Sequence, residues 1–111
     1  MKTTELTGAA LDWAVAKCEG NEGKWYVSDK EVMDFTPSTD WSQGGEVIER
    51  EGMSLEFRPM GSMHEWVAFN DDVFAGGETP LIAAMRCYVA YKLGYEVDIP
   101  QELTEQQEAI K

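Results

Sequence analysis

The stretch from Thr79 to Gly94 constrains the fold most, because it contains the start, the body and the end of one helix. Thr79 can cap the free amides and Pro80 suits the first helical position. Lys92 lies where the helix dipole favours a cation, and Gly94 fits a left-handed stop. The body carries a single charge, Arg86. A helix that is apolar on nearly every face is predicted to be buried, so Arg86 must reach the surface, pair with a carboxylate or hold an anion.

The composition fits one folded domain over residues 1–111 that needs no metal or disulfide to build its core. The hydrophobic fraction is 43%, and the mean hydropathy of −0.38 is typical of a soluble protein. The start of the chain lacks an apolar run of signal-peptide length. No segment approaches the roughly 18 apolar residues that a membrane span requires. These features predict a cytoplasmic protein that does not enter the membrane.

The charge balance restricts the partners. The chain has 21 acidic and nine basic residues, a formal net charge of −12, and its acids are dispersed along the sequence. Because no basic stripe is present, direct binding to nucleic acid or to an anionic lipid surface is disfavoured. The simplest interpretation is that the charge serves solubility, and among possible partners a basic one is favoured.

Residue types that carry metal or acid–base chemistry are sparse. Cys18 and Cys87 lie in apolar helical segments without a second ligand at metal-binding spacing, so we expect free buried thiols, although the two could pair. The only histidine, His64, has no Ser or Cys partner that the sequence can place. Asp71 and Asp72 are typical of a solvated loop. No metal or cofactor is expected, and an enzyme is the less favoured class.

Periodicity and turn residues predict the remaining elements. In chain order, we expect a helix from Leu6 or Thr7 to Cys18, a strand over Lys24–Ser28, a loop over Thr36–Asp40, a short helix over Glu46–Gly52, strands over Met53–Phe57 and His64–Phe69, a loop over Asn70–Glu78, and an edge strand over Tyr95–Pro100. Residues 101–111 are a frayed polar tail or a short helix. Together these elements predict an α+β fold, in which a small antiparallel sheet of about three strands packs on the buried C-terminal helix, with an N-terminal helix and a short middle helix.

Three features suggest a site for an anionic, planar ligand. Trp41 could stack on a base, with Gly44 and Gly45 letting the backbone approach it. Arg86 lies beside small residues on the helical wheel, which could leave its guanidinium open to an anion. Thr79 begins the helix whose free amides could hold phosphate. The alternatives are that Trp41 fills the core, that Arg86 forms an internal salt bridge, and that Thr79 is a plain helix cap.

Three ordered blocks of the sequence resemble the NinX-like family of small proteins of tailed temperate phages. They are Glu5–Gly20, Ser38–Gly45 with Ile48–Gly52, and Thr79–Ala90. Family members often have Pro at the position of Glu46, where this chain departs from the pattern. The resemblance implies a phage accessory protein expressed in the bacterial cytoplasm, and it implies no particular activity.

Three function classes follow from these observations. The first is a protein that sequesters a small anionic, nucleotide-like host ligand, such as a defence signal, between Trp41, the Gly44–Gly45 turn and Arg86. The second is an acidic interaction module or DNA mimic that inhibits a host nuclease or restriction enzyme. The third is a small enzyme. The sequence leaves open whether the chain forms a homo-oligomer.

Overall fold

The computed structural model of the chain describes residues 2–19, 26–28, 31–32, 36–60, 63–101 and 103–104. The α-helices are α1 (Gly8–Glu19), α2 (Trp41–Glu51) and α3 (Pro80–Leu93). The strands are β1 (Tyr26–Ser28), β2 (Glu31–Val32), β3 (Ser54–Met60), β4 (Met63–Asn70) and β5 (Val73–Gly77). Strands β3, β4 and β5 form an antiparallel sheet on which α3 packs. This confirms the predicted α+β fold, with its N-terminal and middle helices.

The sheet has an inner face toward α3 and an outer face. Leu55, Ala68 and Ala75 lie side by side in the register of the three strands, and all three contribute to the core. At Gly77 a side chain would lie 2.7 Å from the main-chain nitrogen of Ala83, so glycine lets the start of α3 approach the sheet closely. Because side chains alternate along a strand, the neighbours of these core residues point to the outer face.

Helix α3 is the centre of the core, as its sequence predicts. It packs against the sheet and against α1 and α2. From α1, Leu11 and Val15 are fully buried, and Trp13 lies at the edge of the core. The buried residues of α3 are Leu81, Ala83, Ala84, Met85, Cys87, Tyr88, Val89 and Ala90.

The segment after α3 packs back on the beginning of the chain. The hydroxyl of buried Thr3 donates to the carbonyl of Gly94 at 2.7 Å. Lys2 and Glu96 form an isolated antiparallel bridge, and Leu103 is buried in the core. The predicted edge strand over 95–100 is wrong, because the described pairing there is confined to this single bridge. The predicted tail at 101–111 lies mostly outside the described residues.

Helix α2 begins at Trp41, so the prediction that it starts at Glu46 is wrong. Asp40 caps the helix, since its carboxylate accepts a hydrogen bond from the amide of Ser42 at 2.8 Å. The predicted stop at Gly52 is confirmed, with φ of +67°. The sequence analysis treated the two glycines after Trp41 as a turn, but tertiary packing holds them in the helix.

Strand β5 was predicted as a loop, and this too is wrong. Its residues pair with β4 from Trp66↔Gly77 to Asn70↔Val73. The connection contains Asp71 with φ of +56°, a left-handed conformation that Asp tolerates in a tight hairpin turn. Two glycines at the end of the strand obscured its pattern.

The remaining differences are local. Strand β2, for which no element is predicted, pairs with β1. Residues 24–25 and 33–35 of these segments lie outside the described part. Helix α1 runs one residue past the predicted Cys18. Gly94 ends α3 with φ of +92° and ψ of −174°, so the stop has a positive φ but is not left-handed helical.

Candidate functional site

Arg86 makes its described hydrogen bonds to main-chain carbonyls. Its Nε donates to the oxygen of Leu6 at 2.8 Å, and its Nη1 donates to the oxygen of Gly76 at 2.9 Å. Burial lowers the pKa of Arg86, and the nearby carboxylates of Glu78 and Glu65 oppose that shift. The guanidinium thus joins α3 to the segment before α1 and to strand β5. The sequence analysis had offered a carboxylate or an anion as its partner.

Thr79 and Gly44 each have a structural role at the start of α3. The hydroxyl of Thr79 accepts a hydrogen bond from the amide of Ile82 at 3.1 Å, so Thr79 is the N-cap of α3. A side chain on Gly44 would meet the carbonyl of Pro37 and would lie 2.6 Å from Cδ2 of Leu81. Gly44 therefore allows α2 to pack closely on the first turn of α3.

Trp41 is the first residue of α2, and 56% of it is exposed. A side chain at Gly45 would lie 3.7 Å from the indole of Trp41, which places the ring along this glycine. No hydrogen bond or cation–π contact joins Trp41 to Arg86 in the described part of the chain. Ligand binding by Trp41, Gly44, Gly45, Arg86 and Thr79 stays a prediction.

The outer face of the sheet carries an open hollow of about 490 Å³ that the sequence analysis missed. We call it the outer-face hollow and define it by six of its lining residues, Glu56, Arg58, Glu65, Val67, Phe74 and Gly76. It went unnoticed because β5 was taken as a loop. The alternation of Val67 and Phe69 in β4, followed by Phe74, is the signal that could have revealed it.

The register explains the shape of this hollow. Val67 lies between Glu56 of β3 and Gly76 of β5, and only 5% of Val67 is exposed. Gly76 has no side chain to fill the space beside Val67, and the carboxylate of Glu65 packs against it. Phe74 is 58% exposed at the neighbouring outward position of β5. The hollow therefore has an apolar floor and carboxylates at its wall.

Arg58 is the cation of this face. Its Nε donates to Oε1 of Glu56 at 2.9 Å, and its guanidinium carbon lies 5.4 Å from the ring centroid of Phe69. Both charged side chains of this pair are about half exposed. Such a pair contributes little to stability, so Arg58 and Glu56 can rearrange when another charge approaches.

A polar network joins the three helices at another place. The Glu19 carboxylate of α1 accepts hydrogen bonds from Arg50 of α2 at 3.0 and 2.6 Å and from the hydroxyl of Tyr88 in α3. Burial would raise the pKa of Glu19, but the bonds from Arg50 and Tyr88 outweigh it and lower that pKa. Burial and the bond to Glu19 raise the pKa of Tyr88. These hydrogen bonds hold α1, α2 and α3 together.

A second buried acid lies in α1. Asp12 is only 5% exposed, and its carboxylate accepts a hydrogen bond from the amide of Ser38 at 2.9 Å. Burial raises the pKa of Asp12 to about 6, against the lowering effect of the bonds from Ser38. The partner of Asp12 lies 26 residues away in the chain, which local periodicity cannot show.

The cysteines are unpaired thiols, as expected. Burial raises the pKa of Cys18 to about 12 and that of Cys87 to about 11, so both remain protonated at neutral pH. Among the described residues, no group of three or more His, Cys, Asp or Glu side chains could hold a metal ion. Within the same residues, no helix has the length and apolar character needed to cross a membrane.

Comparison with known proteins gives the family. No curated protein matches the chain. Residues 2–92 match the sequence model of the family described as Bacteriophage P22, NinX. The matched range covers every element from α1 to all but the last residue of α3. It also includes the three blocks on which the resemblance was based, and it confirms that resemblance. The chain belongs to the P22 NinX family of bacteriophage proteins.

Proposed function

We propose that this phage accessory protein acts in the bacterial cytoplasm by binding a basic protein of the host through its acidic surface. The observation that carries the proposal is the position of Arg86, whose two described hydrogen bonds go to main-chain carbonyls. The cation that the sequence offered for an anionic ligand therefore has a structural task. An inhibitor that occupies the basic groove of a nuclease or restriction enzyme is one form of this function.

The other arginines support the same reading. Arg50 is paired with Glu19 and Glu51, and Arg58 is paired with Glu56. The chain has a formal net charge of −12, so its long-range electrostatic attraction is toward positively charged partners. Such attraction accelerates association with a basic surface and weakens as salt is added.

Sequestration of a small ligand is the second candidate. The exposed indole of Trp41, which lies along Gly45, favours it because a flat aromatic surface can stack on a planar ring. A counter-defence role would follow if that ligand were a nucleotide-like signal. The charge of the chain and the engagement of Arg86 make this candidate the weaker one for an anion.

The test is mass spectrometry of the tagged protein taken from infected host cells. One sample would be cross-linked before lysis to identify the partner, and native spectra of a second sample without cross-linker would be recorded at low and high ammonium acetate. We expect one host protein at fixed stoichiometry, released as the salt concentration rises. A small molecule that co-purifies with unbound protein would instead establish the second candidate. Protein that carries neither would contradict both proposals.

A further inference from the structure

We infer that the outer-face hollow receives a lysine or arginine side chain of the partner. This inference rests on the proposed function and assigns it a place on the molecule. The hollow lies on the sheet face opposite α3, so no described helix covers it.

The floor of the hollow suits the stem of a long basic side chain. Val67 and the exposed ring of Phe74 form the apolar surface of the hollow, next to the Glu65 carboxylate that packs against Gly76. Lysine and arginine bury their methylene groups along such surface while the charged end stays near solvent. The ring of Phe74 can also attract a cation that passes over its face.

The charged residues that line the hollow favour a positively charged occupant. Two carboxylates, Glu56 and Glu65, and one guanidinium, Arg58, give it a net charge of −1. Arg58 is already paired with Glu56. Arg86, which lies outside the lining, interacts electrostatically with Glu65 and donates its hydrogen bonds to the carbonyls of Leu6 and Gly76. A cation can therefore contact Glu65 without breaking a described hydrogen bond. An anion would meet two carboxylates at the same wall.

The experiment is a titration of the full chain, labelled with ¹⁵N, with three capped tripeptides followed by NMR. Each peptide has two leucines that flank a central lysine, norleucine or glutamate. We expect the lysine peptide to shift the amide signals of Val67, Phe74 and Gly76, with a millimolar dissociation constant. The norleucine peptide should bind about threefold more weakly, and the glutamate peptide should leave these signals unchanged.

Matched variants separate the hollow from the general charge. Glu65→Gln should weaken binding of the lysine peptide about threefold, and Phe74→Ser should weaken it at least as much. Glu49→Gln makes the same change of charge on an exposed face of α2, and should leave the affinity unchanged. The NMR spectrum of each variant shows whether its fold is intact.

Two results would overturn the inference. One is equal weakening by Glu65→Gln and Glu49→Gln, which would make the attraction general and would leave the proposed function standing. The other is that the three amide signals do not shift when the concentration of lysine peptide is about ten times the expected dissociation constant, which is roughly millimolar for one such contact. In that case a host protein captured from infected cells would still support the proposed function, and its binding face would lie elsewhere.

Discussion

The amide of Ser38 donates a hydrogen bond to the carboxylate of Asp12, and both residues are more than nine-tenths buried. This contact ties the loop before α2 to helix α1. Burial raises the pKa of Asp12 to about 6, so the carboxylate changes its charge within the range of ordinary buffers. Burial of this carboxylate therefore makes stability depend on pH in a direction opposite to that of most acidic side chains.

The first prediction concerns Asp12→Asn. The folded state holds the Asp12 proton more tightly than the unfolded chain, so the contribution of this residue to the free energy of unfolding falls as pH rises from about 4 to about 6. The loss amounts to at most about 3 kcal/mol at pH 7. An asparagine can still accept the bond from Ser38, so Asp12→Asn should stabilise the protein at pH 7.5 and stabilise it only about a third as much at pH 4.5.

Urea unfolding at the two pH values measures this difference. The exposed Asp98→Asn variant is the control, because it removes one charge from the same acidic chain without changing a buried group. If the effect of Asp12→Asn is the same at both pH values, ionisation of Asp12 does not contribute as described.

The second prediction concerns the network of Glu19, Arg50 and Tyr88. Nη2 of Arg50 donates to the hydroxyl of Tyr88 at 3.1 Å, and both residues bond to Glu19. Arg50→Met and Tyr88→Phe should each lower the free energy of unfolding by about 1 kcal/mol. Because the residues share one carboxylate, the double variant should fall short of the sum by about 0.5 kcal/mol. Strict additivity would show that the two bonds act independently.

The third prediction concerns Arg86. Arg86→Met would remove the hydrogen bonds to the carbonyls of Leu6 and Gly76, and should lower the free energy of unfolding by about 2 to 3 kcal/mol. Arg86→Lys can restore one bond and should recover part of the loss. Thermal unfolding of both variants tests this. Wild-type stability of Arg86→Met would mean that the guanidinium is dispensable for the fold, and would return it to the candidates for ligand binding.

The fourth prediction concerns residues beyond the range that matches the family. Leu103 is 2% exposed and belongs to the core, so Leu103→Ala should cost about 2 to 3 kcal/mol. Leu93→Ala, at a leucine that is 37% exposed, should cost less than about 1 kcal/mol. Chemical denaturation measures both losses. If Leu103→Ala lowers the free energy of unfolding as little as Leu93→Ala does, the segment after α3 is only loosely attached.

Local patterns predicted the elements whose cause is local. The Thr79 cap, the Pro80 start and the apolar body fixed the bounds of α3 almost to the residue. Helix α2 was predicted too short because glycine has a low helix propensity, while the fold needs Gly44 for close packing on Leu81. Two glycines likewise hid β5, although pairing with β4 stabilises that strand. In both cases tertiary contacts outweighed local preference.

The candidate site shows a similar limit. The sequence identified Arg86 as unusual, and its burial confirms that it needs a partner. It could not identify that partner, because a main-chain carbonyl gives no signal in the sequence. The outer-face hollow depends on the register that puts Gly76 beside Val67. A register of this kind is set by the whole sheet, so it could not be predicted while β5 was missing.

The packing of α1 on α3 has a consequence for how the chain folds during synthesis. Strands β3, β4 and β5 and helix α3 follow one another directly, so this unit can form from contacts that are close in sequence. Helix α1 packs on the last of these elements, and Thr3 bonds to a carbonyl 91 residues later. Helix α1 therefore finds its permanent neighbour only after the sheet strands and α3, which follow it in the chain, have been translated.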